Sequence, residues 1–451
     1  MVNTLVMELL LFLIILSSGL SQTVPDITTN DINTDDLKLA RLDPVAVGHE
    51  QTLQLKTGKT VTIKTAAVHP PLFEIENFLD DSECEHIKSI AEKKNKWKES
   101  VTLPKDSFRT GKEEGTHKLI DFQTADKNKD NFVDFLEFWY ARPPVQNAMI
   151  TIEDIPEFVQ LYNYDVDGDE KLTKEEFDQI DVKLIYEWTY KKMELDMKKQ
   201  GRISNQVWVT HESDQFLIEL KERVASLTGL PLRLINAAEP MQVVHYGVGG
   251  HYHAHFDSET INKDRGCIHT RQIDGVEGHV PLDYKKYRLC RYATLMYYLA
   301  DVDEGGETAF PIADNATTSE EVLFAGGYLG DLSNHCKDAN LVVKPKKGKA
   351  VLWYNHKLNE DGWIGDKDVY SFHGGCDIIK GIKWIANHWL TVDTEKERQI
   401  RYMEFWEKSY GGVVPQPPVE QQQEGQQQQD EQQQEEEQQP GTDTLLHHEE
   451  L

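Results

Sequence analysis

Apolar and polar residues alternate over residues 51–64 around Thr57-Gly58-Lys59, and a period of two about a glycine turn predicts a β-hairpin. After Pro70 and Pro71, residues 72–78 read as a further strand. Asp80, Asp81 and Ser82 then offer N-caps to a helix reaching about residue 94. Over residues 120–200 the pattern turns acidic and helical, broken by two aspartate-rich loops. An amphipathic helix follows at residues 216–227 and stops at Gly229. Over residues 241–392 short apolar runs alternate with glycine-rich turns, the spacing of an all-β sandwich or barrel.

The two ends carry different patterns. Residues 9–16 read LLLFLIIL and small residues follow up to Ser21, the layout of a cleavable signal peptide over residues 1–21. The run is shorter than the roughly 20 apolar residues that span a bilayer. The segment before it has no Lys or Arg and carries Glu8, so a retained anchor is the alternative. Residues 22 to about 50 are polar and aperiodic, as in a linker. From Pro415 the chain is Gln, Glu and Pro, which cannot bury enough apolar surface to fold. The last residues, His448-Glu449-Glu450-Leu451, resemble a retrieval signal of the endoplasmic reticulum lumen. Asn315-Ala316-Thr317 is a glycosylation sequon that such an address would expose to modification.

Charge narrows the partners. With 48 Lys+Arg against 77 Asp+Glu the 451-residue chain has a net charge of −29, which argues against nucleic acid and suits calcium. Seventeen His against five Cys points away from zinc ribbons and disulfide-dense mini-domains. Cys84, Cys267, Cys290, Cys336 and Cys376 can pair in an oxidising lumen with one thiol left over, and spacing does not decide which.

Both aspartate-rich loops have the twelve-residue spacing of an EF-hand. In the first, Asp126, Asn128, Asp130, Asp134 and Glu137 supply side-chain oxygens and Phe132 a backbone carbonyl. In the second, Asp165, Asp167, Asp169 and Glu176 do so, with Lys171 at the carbonyl position. Val133 and Leu172 are apolar where paired loops meet. Both loops lack the expected glycine at the sixth position, where Asn131 and Glu170 must adopt a positive φ.

A second set of metal-binding residues lies in QVVHYGVGGHYHAHFD. On a strand, His255 and Asp257 would point to one face, and His373 is 116 residues beyond Asp257. Two His and one carboxylate make the facial triad of non-haem Fe(II) oxygenases, which leaves positions open for 2-oxoglutarate and O₂. Lys383, ten residues after His373, would pair with the far carboxylate of 2-oxoglutarate. His251 and His253 read as surface residues or as neighbours of the metal. Trp97, Trp208, Trp363 and Trp389 are candidates for a peptide groove or for the core.

The segments PLFEIENFLDDSECEHI, AEPMQVVHYGVGGHYHAHFDSE, RYATLMYYLADVDEGGETAFP and SFHGGCDIIKGIKWIANHW resemble the prolyl 4-hydroxylases. The EF-hand pair within the catalytic region resembles the membrane-anchored branch of that family. The resemblance covers about residues 70–410. It implies an α+β chain, with a double-stranded β-helix (jelly-roll) core, flanking helices and an inserted all-α EF-hand domain. The implied organisation is a first catalytic part at 70–119, the EF-hand pair at 120–200 and the catalytic core at 201–410, followed by the tail at 411–451 whose composition reads as disordered. Residues 22–69 form the linker and hairpin ahead of it.

The resemblance also implies Fe(II), 2-oxoglutarate, O₂ and L-ascorbate as cofactors, and a proline-containing peptide or protein as substrate. Carried over by position, His255, Asp257 and His373 match the iron ligands and Lys383 the 2-oxoglutarate lysine. Tyr246, Tyr298 and Thr308 match residues lining the cosubstrate pocket. Two alternatives stay open at this point: a related dioxygenase acting on another residue such as lysine, and a calcium-binding interaction protein whose catalytic half is inert.

Overall fold

In the computed structural model the described residues are 37–94, 96–99, 119–145, 147–210, 214–262, 264, 266–267, 287–317 and 325–410. The apolar N-terminal run read as a signal peptide, most of the linker, the Gln-rich tail and the last four residues read as a retrieval signal lie outside them.

β1 (Glu50–Gln54) and β2 (Thr60–Ala67) form the expected hairpin, with Glu50 opposite Lys64 and Gln54 opposite Thr60. β3 (Leu72–Glu76) adds to β2. The helix Asp81–Lys93 starts where its caps require. Asp80 accepts the Glu83 N–H, and the Glu83 carboxylate accepts the Asp80 N–H in return. Arg223, on the helix Gln215–Thr228, donates to Glu83 and to the Phe78 carbonyl and so ties the two helices together. That second helix ends on Gly229, whose φ of +72° is a left-handed stop open to glycine.

β4 (Lys98–Glu99) precedes the acidic insert. The insert has its own core, in which Phe122, Phe138, Phe158, Phe177 and Trp188 are buried together. It is not purely helical. β5 (Val133–Asp134) and β6 (Lys171–Leu172) pair antiparallel, with Val133 opposite Leu172.

After it come β7 (Arg202–Ile203), β8 (Asn205–Val209), β9 (Met241–Tyr246), β10 (His251–His255) and β11 (Leu289–Tyr298). β12 (Glu304–Gly305), β13 (Thr308–Phe310), β14 (Leu341–Val343), β15 (Ala350–Tyr354) and β16 (His356–Leu358) follow. β17 (Ile364–Lys367), β18 (His373–Gly375), β19 (Ile378–Lys380) and β20 (Lys383–Asp393) complete the strands, and a helix at Lys396–Tyr410 closes the described chain.

Two sheets carry the architecture. One has nine strands in the order β1-β2-β3-β15-β11-β20-β9-β8-β4, the other five in the order β14-β13-β18-β10-β7. They meet across a shared core: Val244, Met296, Tyr298, Trp353 and Ile385 from the first, Phe310 and Val343 from the second. Two antiparallel sheets facing each other are the jelly-roll arrangement. All ten residues of β11 are buried, because it is central in its sheet and covered on both faces. β4 pairs with β8, so the strands before and after the insert are neighbours and the insert leaves the sheet unbroken.

The polar stretch before residue 50 is less free than its composition suggests. Leu39 is buried and its N–H bonds the Gly362 carbonyl, while the Leu42 N–H bonds the Tyr354 hydroxyl. One apolar anchor and a few backbone bonds leave no periodic trace. Among the described residues no helix is long and apolar enough to cross a membrane.

Candidate active site

His255 ends β10 and faces His373, the first residue of β18. Three steps along β10, from Tyr252 to His255, match two along β18, from Gly375 to His373. That bulge turns Tyr252 onto the same side as His255, where the two rings stack with centroids 3.7 Å apart. Strict alternation would have put His253 there. His251 and His253 are instead buried on the other side, at 1% and 3% exposure, which corrects their reading as surface residues.

Asp257 lies beyond the end of β10, so strand alternation is not what brings it to His255. Its place is set by groups far away in sequence. The Thr294 hydroxyl donates to its Oδ2 at 2.7 Å, and Arg291 donates to its backbone carbonyl at 3.3 Å. Arg291 is held in turn by both oxygens of Glu239 and lies 3.5 Å over the Trp389 ring.

His255 Nε2 is 3.7 Å from Asp257 Oδ1, and His373 Nε2 is 3.6 Å from Asp257 Oδ2. One ligand atom from each of the three lies within 4.8 Å of the others. The Nδ1–H of His255 donates to the His253 carbonyl at 2.9 Å and that of His373 to the Ser371 carbonyl at 2.8 Å. Both rings are thereby oriented with Nε2 toward Asp257. Burial pushes His373 down to about 4, so it is neutral at physiological pH, as a metal ligand must be. Burial opposes ionisation of Asp257, but His373, His255 and Arg291 outweigh it and hold the carboxyl well below its ordinary range.

Residues 241–391 match the 2OG-Fe(II) oxygenase superfamily. Transmembrane prolyl 4-hydroxylase of Homo sapiens is 35% identical over 370 residues, 81% of this chain and 72% of that protein. The protein of the same name from Mus musculus is 34% identical over 386 residues, 84% of this chain and 75% of that one. This chain belongs to the prolyl 4-hydroxylase family. A viral collagen prolyl hydroxylase of Paramecium Bursaria Chlorella virus-1, solved with 2OG, aligns at 22% identity. It covers 42% of this chain and 80% of its own, with a TM-score of 0.26, too low to establish a common fold by itself.

The family is one of Fe(II)-, 2-oxoglutarate- and O₂-dependent enzymes, and the residues present fit those groups. A cavity of about 320 Å³ opens beside the two histidines and Asp257. Tyr246, Thr308 and Lys383 all line it. Lys383 begins β20 opposite Tyr246. Its amine is buried, and Thr308 Oγ1 lies 3.4 Å away. Burial pulls it down to about 7. Such an amine is a socket for an anion. Gly375 borders it bare, where a Cβ would come within 3.4 Å of Lys383 Nζ. Tyr298 does not line the cavity. It lies fully buried behind it and donates its hydroxyl to Thr308 at 2.7 Å, which aims the Thr308 oxygen toward Lys383.

Sequence reasoning missed Arg202, Tyr252, Gln242, Arg291 and Asn387, which also line the cavity of this prolyl 4-hydroxylase relative. Only the bulge brings in Tyr252, and only sheet register brings in the others. Of the four tryptophans, Trp389 is in the cavity wall and Trp208 packs 5.5 Å from it. Trp97 joins His245 and Trp384 elsewhere. Trp363 is core, at 2% exposure, with its N–H on the Asp393 carbonyl.

Cys267 pairs with Cys290 and Cys336 with Cys376. Cys84 is the remaining thiol, buried and pushed up to about 11 by that burial.

In the insert, Asn131 and Glu170 both take the left-handed turn, at φ +68° and +64°. Asp126 accepts the N–H groups of Asp130 and Asn131, and Glu137 those of Lys127, Asn128 and Asp134. Asn128 and Asp130 accept from the backbone of the same loop, and Asp134 caps the helix Phe135–Ala141. In the second loop carboxylate oxygens of Asp165, Asp167 and Glu176 lie within 4.8 Å of one another. Asp169 accepts the Lys171 N–H.

Proposed function

We propose that this chain hydroxylates a peptidyl proline at C4, with Fe(II) held by His255, Asp257 and His373. The observation that carries this is the triad, with both imidazoles fixed through Nδ1, beside a cavity containing the buried amine of Lys383. Proline as the target is taken from the names of the relatives.

Bound together, Fe(II), 2-oxoglutarate and O₂ supply oxidative decarboxylation to succinate and CO₂, with one oxygen atom delivered to a C–H bond. The chain's part is placement. Thr294 and Arg291 hold Asp257 so that one carboxylate oxygen faces each histidine. Lys383 and Thr308 fix the far carboxylate of the cosubstrate, with Tyr298 orienting Thr308. Tyr246, Tyr252 and Trp389 supply aromatic walls to the cavity.

The insert's loops are proposed to bind Ca²⁺ through Asp126, Asn128, Asp130, Phe132, Asp134 and Glu137, and through Asp165, Asp167, Asp169, Lys171 and Glu176. The positive φ at Asn131 and Glu170 and the pairing of Val133 with Leu172 support this. L-Ascorbate is proposed as the reductant that keeps the iron ferrous. The endoplasmic reticulum lumen is the proposed location, supported by the two disulfides, which persist in oxidising compartments. Asn315 is its proposed glycan site, with Thr317 exposed two residues on.

The test is succinate release from 2-oxoglutarate with Fe(II), ascorbate and a panel of proline-containing peptides, followed by peptide mass spectrometry. The expected result is peptide-dependent turnover, one added oxygen on proline, and loss of both in His255→Ala. Turnover with oxygen on lysine or another residue would replace the proposed substrate. Absence of turnover in a preparation shown to contain iron would favour a calcium-binding interaction protein.

A further inference from the structure

The segment that leaves the insert, Met197 to Gly201, runs alongside the strand that ends in His255. The carbonyls of Lys198, Lys199 and Gln200 alternate between two partners. Those of Lys198 and Gln200 face β10, where they meet not backbone N–H groups but imidazoles: His253 Nε2 at 2.7 Å and His251 Nε2 at 2.8 Å. The carbonyl of Lys199 faces the other way and accepts the Met149 N–H inside the insert at 2.9 Å. The Gly201 carbonyl accepts the His253 N–H at 3.0 Å, while the Gly201 N–H bonds the Asn147 carbonyl. The side chain of Lys199 is a buried cation paired with Asp154 of the insert at 2.8 Å. Asp154 is also paired with Lys192 at 2.9 Å.

His253 has a third attachment. Its Nδ1 accepts the Leu332 N–H at 3.1 Å, at the start of the short helix Leu332–His335. The turn before that helix is pressed against the insert. A Cβ on Gly326 would come within 2.8 Å of Ile152, and one on Gly327 within 2.7 Å of Trp139. His253 is therefore bonded at both ring nitrogens to segments that are themselves anchored on the insert. Its own carbonyl accepts the Nδ1–H of His255 at 2.9 Å, the bond that aims His255 Nε2.

We infer that His251 and His253 are positioning residues that fasten the metal-ligand strand to the insert, so that the insert holds His255 in its coordinating orientation. Neither touches the cavity or the reacting atoms. The inference rests on the reading of His255, Asp257 and His373 as a metal centre. A ligand held through its own backbone neighbour is sensitive to what fixes that neighbour, and loss of such outer contacts commonly costs metal affinity about 10- to 100-fold.

The experiment is a Co²⁺ titration of the full chain, with Ca²⁺ in excess to fill the insert's loops, followed by the visible ligand-field absorption. His253→Ala is expected to bind Co²⁺ about tenfold or more weakly, with an altered band. His253→Gln is expected to recover most of the affinity, because its carboxamide can donate to Lys198 and accept from Leu332. Asp154→Asn lies in the insert and lines none of the cavity. It is expected to weaken Co²⁺ binding in the same direction, and it decides the matter if His253→Ala does not fold. Wild-type affinity and an unchanged band in both His253→Ala and Asp154→Asn would overturn the inference. Undiminished Co²⁺ binding in His255→Ala would overturn the metal-centre reading, and this inference with it.

Discussion

The Thr294 hydroxyl donates to Asp257 Oδ2 at 2.7 Å and is the end of a buried relay. Trp353 donates to Asn355 at 3.0 Å, and Asn355 donates to Thr294 at 2.9 Å. Trp353 also packs edge-on against His373, so one side chain steadies two members of the triad. Thr294→Val keeps the shape and removes the donor. Metal affinity is expected to fall about 10- to 100-fold, with Thr294→Ser close to wild type. A Co²⁺ titration checks it; equal affinity in the valine variant would mean that the relay only packs.

Lys383 gives a pH dependence of known sign. Burial pulls its amine from 10.5 down to about 7, so in the ligand-free pocket its charge is complete below that value and lost above it. A dicarboxylate requires the charged form. Binding of 2-oxoglutarate is therefore expected to weaken by up to about tenfold per pH unit above about pH 7, and to take up a proton there. Calorimetry in two buffers of different ionisation heat reads both quantities. A dissociation constant flat from about pH 6 to about pH 9 would contradict it. Lys383→Met should abolish the dependence together with most of the affinity.

Gly374 sits where β18 crosses β10. A Cβ there would lie 2.5 Å from the Tyr252 carbonyl oxygen and 2.6 Å from Leu332 Cδ1. Neither neighbour is free to withdraw, and His373 is adjacent. Gly374→Ala is expected to cost about 1–3 kcal/mol of stability and to lower Co²⁺ affinity by displacing His373. Thermal melts with and without Co²⁺ test this. An unchanged melt would show that the two strands can part at no cost.

In the insert, Lys171 of the second loop lies 3.7 Å from Asp130 of the first, a half-exposed pair. Calcium in the first loop, as proposed above, would compete with that cation. Lys171→Gln is expected to tighten calcium at the first loop severalfold by removing the competing charge, while the second loop keeps its backbone carbonyl at this position. Glu137→Gln and Glu176→Gln should each remove one binding event. Isothermal calorimetry counts them, and a full calcium heat in the double Glu variant would place the sites elsewhere.

The hairpin at β1 and β2, the helix capped by Asp80 and the helix stopped at Gly229 were legible because their signals are local: alternation, a capping residue, a glycine. The residues that the fold brings together at the proposed centre, His255, Asp257, His373 and Lys383, could be singled out in the sequence, since metal and anion chemistry restrict which side chains can serve. Val133 and Leu172 revealed their pairing for the same reason, both being apolar in polar loops.

The arrangement was not legible where one residue's surroundings come from distant parts of the chain. Strict alternation would put His253 beside His255, whereas a one-residue bulge puts Tyr252 there. Composition left Trp363 and Trp389 alike, and only packing sent one to the core and the other to the cavity. Which cysteines meet, and that Arg291 finds Glu239 across 52 residues, depend on strand register. The sequence by itself determined the chemical groups and the elements that bear them, because propensity and reactivity reside in single residues and their near neighbours. Only the tertiary structure decided orientation, because orientation is set by hydrogen bonds and contacts between strands whose pairing exists only once the chain has folded.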